Sequence, residues 1–264
     1  MLPNHKTGSF LHNLTSTLFS KNVAQLIALG YLVAIIMIGL QALAFEFGQR
    51  YLGVWVEYTW MVQLSSSYWP FLSAFLLGII ASASEEVSFR LFAINVGKKF
   101  FKSTVIASLV ASILWGYGHS TYMVFPMWFR GIEVTCLGLL LSYVYLRYGI
   151  IVTLVAHYLF DVFWECSAYL LGQSTMFNFY SCLLTLLLPL GFAAIALFFN
   201  RPEIERPMRW RLNLHQKFNL EILKNYLKSR PELLTKPRAE LMTEIMNHGW
   251  DLAVVEFALD DLHR

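Results

Sequence analysis

The chain has 264 residues and is 57% hydrophobic and 16% aromatic, with only 14% charged residues and a formal net charge of +3. Soluble domains run nearer about 45–50% apolar and about 25% charged. This composition therefore excludes a disordered chain, a collagen-like fibre and an ordinary soluble enzyme. The three cysteines, Cys136, Cys166 and Cys182, sit inside apolar runs without paired spacing. They read as buried thiols and not as a disulfide framework or zinc knuckle. Charge is unevenly distributed: residues 1–200 carry nine Lys/Arg and seven Asp/Glu, and residues 201–264 carry eleven and ten. The chain divides into an apolar body, 1–200, and a charged tail, 201–264, and nothing in it calls for nucleic acid.

A helix needs about 20 mostly apolar residues to cross roughly 30 Å of hydrocarbon. Six stretches are long and apolar enough: 23–45, 70–96, 103–125, 131–146, 150–171 and 179–200. The first is too long for a signal peptide, lacks a small-residue cleavage site and follows a polar leader, so it is expected to be retained. Residues 51–69 mix aromatics with Glu57, Gln63 and three serines and read as an interfacial segment. The fold expected is all-α, a polytopic membrane helix bundle of about six spans with a small cytoplasmic helical tail. Placing the N-terminus in the cytoplasm puts Lys6, Lys21, Lys98, Lys99, Lys102, Arg147 and the basic cluster at 201–211 on the inner side. Only Arg50 and Arg130 remain outside. By the positive-inside rule both termini are then cytoplasmic.

In the tail, Phe218, Leu220, Ile222, Leu223 and Leu227 recur at near-helical spacing until Pro231 and Pro237 interrupt them. Leu241, Ile245, Leu252, Val255 and Leu259 form a second apolar stripe, broken around Gly249. The expectation is a helical appendage packing on itself or on the membrane face. The alternative is a module that docks a cytoplasmic partner.

An ionisable side chain at the bilayer centre costs at least about 2.5–3.5 kcal/mol, which makes each one inside a span a functional candidate. Here these are Glu85, Glu86, Arg90, His119, Glu133, His157, Asp161 and Glu165. Glu86 and Arg90 are four apart, as are His157 and Asp161, so each pair shares a helix face and can form an ion pair. Trp115 lies one turn before His119 and sets an aromatic wall beside it. Glu85 has no local partner, the situation of a general base. Interhelical hydrogen bonds worth about 0.6 kcal/mol explain many single intramembrane polar groups, and Glu133 and Glu165 are assigned that structural role. At 1.5 Å per residue, Glu85 lies about 15 Å and His119 about 24 Å from the inner ends of their spans. A helix break at Gly116 and Gly118 is one way to bring them level. Neither a Ser–His or Ser–Lys pair nor two aspartates occupy the spans.

Glu85-Glu86-Val87-Ser88-Phe89-Arg90 has the form E-E-x-x-x-R. Trp115 and His119 are placed as in F-x-x-x-H, with tryptophan first, and His157 and Asp161 as in H-x-x-x-N/D. In this order, on successive apolar spans, the motifs resemble the CAAX-protease and bacteriocin-processing (Abi) family of intramembrane glutamic endopeptidases, which includes the Rce1-type enzymes. The resemblance covers about residues 71–162. It implies an endopeptidase that hydrolyses a membrane-associated peptide or protein without a cofactor, in contact with the lipid bilayer. Glu85 and His119 would activate water, His157 and Asp161 would line the oxyanion hole, and Glu86 and Arg90 would support the site by pairing. The family often has asparagine where Asp161 stands. An ionised aspartate repels an oxyanion, so Asp161 must be protonated or must orient His157, and the orienting role is expected. Three other readings compete. A zinc protease would use His119, His157 and a carboxylate, although H-E-x-x-H is missing. A membrane scaffold or immunity protein would need no catalysis, and a proton-coupled transporter would need an internal repeat, which the chain lacks.

Overall fold

The computed structural model describes residues 18–57, 68–172, 174–199, 212 and 214–262. Lys6, Asn200, the basic cluster at 201–211 and the middle of the 51–69 segment (58–67) lie outside the described residues. The chain forms two units, Met1–Glu203 and Ile204–Arg264.

The first unit is built from long apolar helices. Helix α1 spans Lys21–Leu52; Ser20 caps it by accepting the Val23 amide, and Gly53 ends it with a left-handed φ of 67°. After the two-residue strand β1 (Trp55–Val56), Pro70 opens α2 (Pro70–Glu85), and its fixed φ suits the first turn. The helix continues through a π-helical segment, Glu86–Ala93, into α3 (Ile94–Phe101) and stops at Lys102, whose φ is 55°. Ser103 caps α4 (Thr104–Gly118) by accepting the Ile106 amide; a 3₁₀ turn at His119–Thr121 and strand β2 (Val124–Phe125) follow. Helices α5 (Met127–Tyr148) and α6 (Ile150–Leu171) meet at Gly149, φ 92°, and α7 runs from Met176 to Phe199.

Five of these segments are long and apolar enough to cross a membrane: α1, the continuous Pro70–Phe101, α5, α6 and α7. Their outward faces carry Leu32, Ile35 and Leu43 on α1, Ile80 on α2 and Leu184 on α7, all exposed, as surfaces that meet lipid do. The expected span 103–125 turns out differently. Its helix has 15 residues, about 22 Å at 1.5 Å per residue, short of the hydrocarbon thickness. Gly116 and Gly118 weaken its last turn, and Val124 and Phe125 are captured by antiparallel pairing with Val56 and Trp55. The Pro70–Phe101 helix runs five residues past its expected end at 96. Glu85 therefore stands sixteen residues before Phe101 and His119 sixteen after Ser103, about 24 Å along their helices in each case. The depth mismatch expected from sequence disappears.

Helix α6 packs against α1, α2, α5 and α7. One apolar cluster joins Met37 of α1, Trp115 of α4, Val134, Leu137 and Leu141 of α5, and Val152, Ala156 and Phe160 of α6. Small residues let α4 and α5 approach closely: the Ser112 and Ser142 hydroxyls are 3.1 Å apart, and Gly138 faces Trp115.

The second unit holds α8 (Leu214–Ser229), a 3₁₀ turn (Pro231–Thr235), α9 (Arg238–Asn247) and α10 (Leu252–Leu262). Leu220, Leu223, Leu227, Leu241, Ile245, Val255 and Leu259 form its buried core, together with Val254 and Ala258. Phe218, Ile222 and Leu252, read from the sequence as part of the stripes, are exposed, because each falls on the outer face of its helix.

A Cβ on Gly116 would lie 2.2 Å from Thr135 Oγ1 and 2.7 Å from the Gly131 carbonyl, whereas one on Gly118 meets nothing within 4 Å. Gly116→Ala is expected to destabilise the detergent-solubilised protein by about 1–3 kcal/mol. Gly118→Ala should leave the thermal midpoint nearly unchanged. Paired thermal-unfolding curves check this.

Candidate active site

The site starts from two adjacent glutamates that point to different places. Glu86 and Arg90, at 0% and 1% exposure, are buried in the π-helical segment, and Arg90 Nη1 lies 3.1 Å from Glu86 Oε1. Arg90 also sits 4.1 Å from the centroid of the Trp115 ring, a cation–π contact across to α4. From α6, His157 donates its Nδ1 hydrogen to the same Glu86 Oε1, at 2.8 Å. One buried carboxylate thus ties together an arginine on its own helix and a histidine seventy-one residues away. π-helical turns of this kind often mark functional positions. Here the segment begins where the chain turns from one carboxylate to the next.

Glu85, at the end of α2, faces a cavity of about 320 Å³. Its Oε2 accepts the Trp115 indole N–H and lies 3.7 Å from His119 Nε2 and 3.9 Å from His157 Nε2. His119 Nδ1 is 2.7 Å from the Trp115 carbonyl oxygen. A carbonyl only accepts, so Nδ1 carries the hydrogen, and Nε2 faces Glu85, as an acceptor when the ring is neutral. Trp115 therefore contacts both partners: its backbone fixes the histidine and its indole fixes the carboxylate. Its ring stands edge-on to both imidazoles, at 5.0 Å from His119 and 5.6 Å from His157.

Asp161 lies one turn beyond His157 with Oδ2 3.5 Å from Nε2. Glu86 occupies Nδ1 of His157, and Asp161 faces the opposite nitrogen. All seven residues singled out from the three motifs, Glu85, Glu86, Arg90, Trp115, His119, His157 and Asp161, come together from α2, the π segment, α4, the 3₁₀ turn after it and α6.

The cavity wall also contains residues the sequence reading passed over. Tyr122 and Arg130 line it, together with Gln41 and Gln49 of α1. Glu165, assigned a purely structural role, lines it too, one turn after Asp161. Glu133 receives a 2.5 Å hydrogen bond from Arg130 Nη1. That pair has a readable (i, i+3) spacing, within α5 and not in the outer loop where the charge count places Arg130. Among the described residues, no group of three or more His, Cys, Asp and Glu side chains is arranged as a metal centre.

Residues 67–163, which contain all three motifs, match the Rce1-like type II CAAX prenyl endopeptidases. The match is to a family of proteases and covers about a third of the chain; with its long apolar helices the chain is an integral membrane protein. Over 90 residues, 34% of the chain, it is 30% identical to the sporulation-killing factor biosynthesis protein SkfC of Bacillus subtilis (strain 168). The match covers 18% of that relative's length. No solved structure matches the chain.

Trp115→Phe keeps an aromatic ring beside Arg90 and removes the N–H donated to Glu85 together with part of the indole's volume. It is expected to lower stability by about 1–2 kcal/mol, read as a reduced thermal midpoint with unchanged helicity.

Proposed function

We propose that the protein is an intramembrane endopeptidase that hydrolyses a peptide bond of a membrane-associated substrate with a water activated by Glu85 and His119. The observation that carries this reading is the facing pair Glu85 Oε2 and His119 Nε2, 3.7 Å apart on the cavity wall; with the imidazole neutral, both atoms accept. A water between them donates one hydrogen to each. As its oxygen adds to the scissile carbonyl carbon, Glu85 takes up the water's proton and the carbonyl becomes an oxyanion. His157, doubly protonated, donates Nδ1–H to Glu86 and presents Nε2–H to that oxyanion. The C–N bond then breaks, and the leaving nitrogen takes the proton held by Glu85. A carboxylic acid and an amine are released.

In this scheme Glu86 and Arg90 are positioning residues that hold His157, and Asp161 holds the Nε2 side of that ring. Catalysis proceeds without a metal. Both termini face the cytoplasm, with α4, its 3₁₀ turn and β2 together making the sixth crossing, the arrangement that the lysine and arginine distribution favours, and the tail forms a separate helical domain.

The test is cleavage of a library of internally quenched peptides, with and without a C-terminal farnesylated cysteine, by detergent-purified protein. The expected result is turnover that survives a strong chelator and falls at least about 100-fold in Glu85→Gln. Loss of turnover on chelation with recovery on adding zinc would contradict it, and so would full activity of Glu85→Gln. Asp161→Asn, which restores the residue common in the family, should stay within a few-fold of wild type. Asp161→Ala should lose about 10-fold or more.

A further inference from the structure

None of the three motifs includes Tyr122, yet its ring lies 5.5 Å from the His119 imidazole and within 13° of parallel to it. The local backbone produces this stack. His119 opens a 3₁₀ turn, in which residues i and i+3 eclipse one another. The Tyr122 amide donates to the His119 carbonyl at 3.1 Å, closing that turn. Tyr122 is also fixed from its far side. The Val124 amide donates to its carbonyl at 2.7 Å, and Val124 and Phe125 form β2, held by β1 across the Val56 and Trp55 pairs. Trp55 and Phe125 add a stacked contact at 4.6 Å. Arg130 lies over the Tyr122 ring at 5.5 Å and is anchored by Glu133, which is 6% exposed.

We propose that Tyr122 is the positioning residue for His119: its ring, fixed by the β1–β2 ribbon and by Arg130, holds the imidazole plane so that Nε2 stays on Glu85. The Trp115 carbonyl fixes one atom of the histidine, Nδ1. One hydrogen bond leaves the ring free to rotate about that contact, and a parallel aromatic face removes the freedom. This gives the ribbon a role in the site. It secures the short segment that follows α4, where the helix ends before reaching the far side of the bundle.

The inference rests on the reading of His119 as part of the water-activating pair, so its test has one arm that depends on catalysis and one that does not. In the first arm, kcat and KM are measured on the best-cleaved library peptide for wild type, Tyr122→Phe, Tyr122→Leu and Glu85→Gln. Tyr122→Phe keeps the ring and should remain within about twofold of wild type. Tyr122→Leu should lose about tenfold in kcat with KM within twofold, the loss expected when an aromatic contact worth about one factor of ten is removed.

In the second arm, carbethoxylation of His119 by diethyl pyrocarbonate is followed by mass spectrometry of its peptide. The rate should rise several-fold in Tyr122→Leu and stay near wild type in Tyr122→Phe. Wild-type kcat in Tyr122→Leu would overturn the proposal. An equal loss in Tyr122→Phe would assign the effect to the hydroxyl and overturn it as well. A rise in KM alone would make Tyr122 a substrate contact and also defeat the proposal. An active Glu85→Gln would instead defeat the proteolytic reading, and the modification rates would still decide whether Tyr122 holds the His119 ring.

Discussion

The carboxylate of Glu86 is the joint on which the site depends. Buried, it accepts from His157 and pairs with Arg90, whose guanidinium reaches on to the Trp115 ring. Three helical segments are thus coupled through one oxygen. A buried pair of this kind adds little net stability, because desolvating the two charges offsets their attraction. Breaking it leaves a charge stranded in low dielectric, so the arrangement fixes geometry more than it adds energy. That geometry sets where His157 Nε2 and the Trp115 indole stand, and both meet Glu85.

Two neighbouring carboxylates therefore have separate tasks. Glu86 is sealed from the cavity, while Glu85 keeps a side-chain exposure of 26% on the cavity wall. In a regular α-helix adjacent residues differ by about 100° in direction, enough to send one inward and the other sideways. The π segment that begins at Glu86 widens the turn and lets Arg90 return under the same oxygen.

Much of this was legible from spacing. The four-residue intervals of Glu86 with Arg90 and of His157 with Asp161 placed each pair on one helix face. The cost of charge in a membrane marked all of these residues as candidates. Partners between helices could not be read in the same way. Nothing local says that the Trp115 indole reaches Glu85 or that Glu86 meets His157, because both contacts depend on how α4 and α6 pack. The end of α4 was partly visible in Gly116 and Gly118. Its continuation as a strand was not, since β2 exists only through pairing with β1, about seventy residues earlier. In the tail, Phe218, Ile222 and Leu252 stand on outer faces, which apolar character without a fixed helix phase does not reveal.

The division of labour between the two glutamates is tested most directly by thermal unfolding of Glu86→Gln beside Glu85→Gln in the same detergent. Glu86→Gln strands Arg90 and should cost about 3–5 kcal/mol. Glu85→Gln keeps an acceptor for the Trp115 indole in a partly hydrated cavity and should stay within about 1 kcal/mol of wild type. Equal losses in the two variants, or a larger loss in Glu85→Gln, would contradict the account.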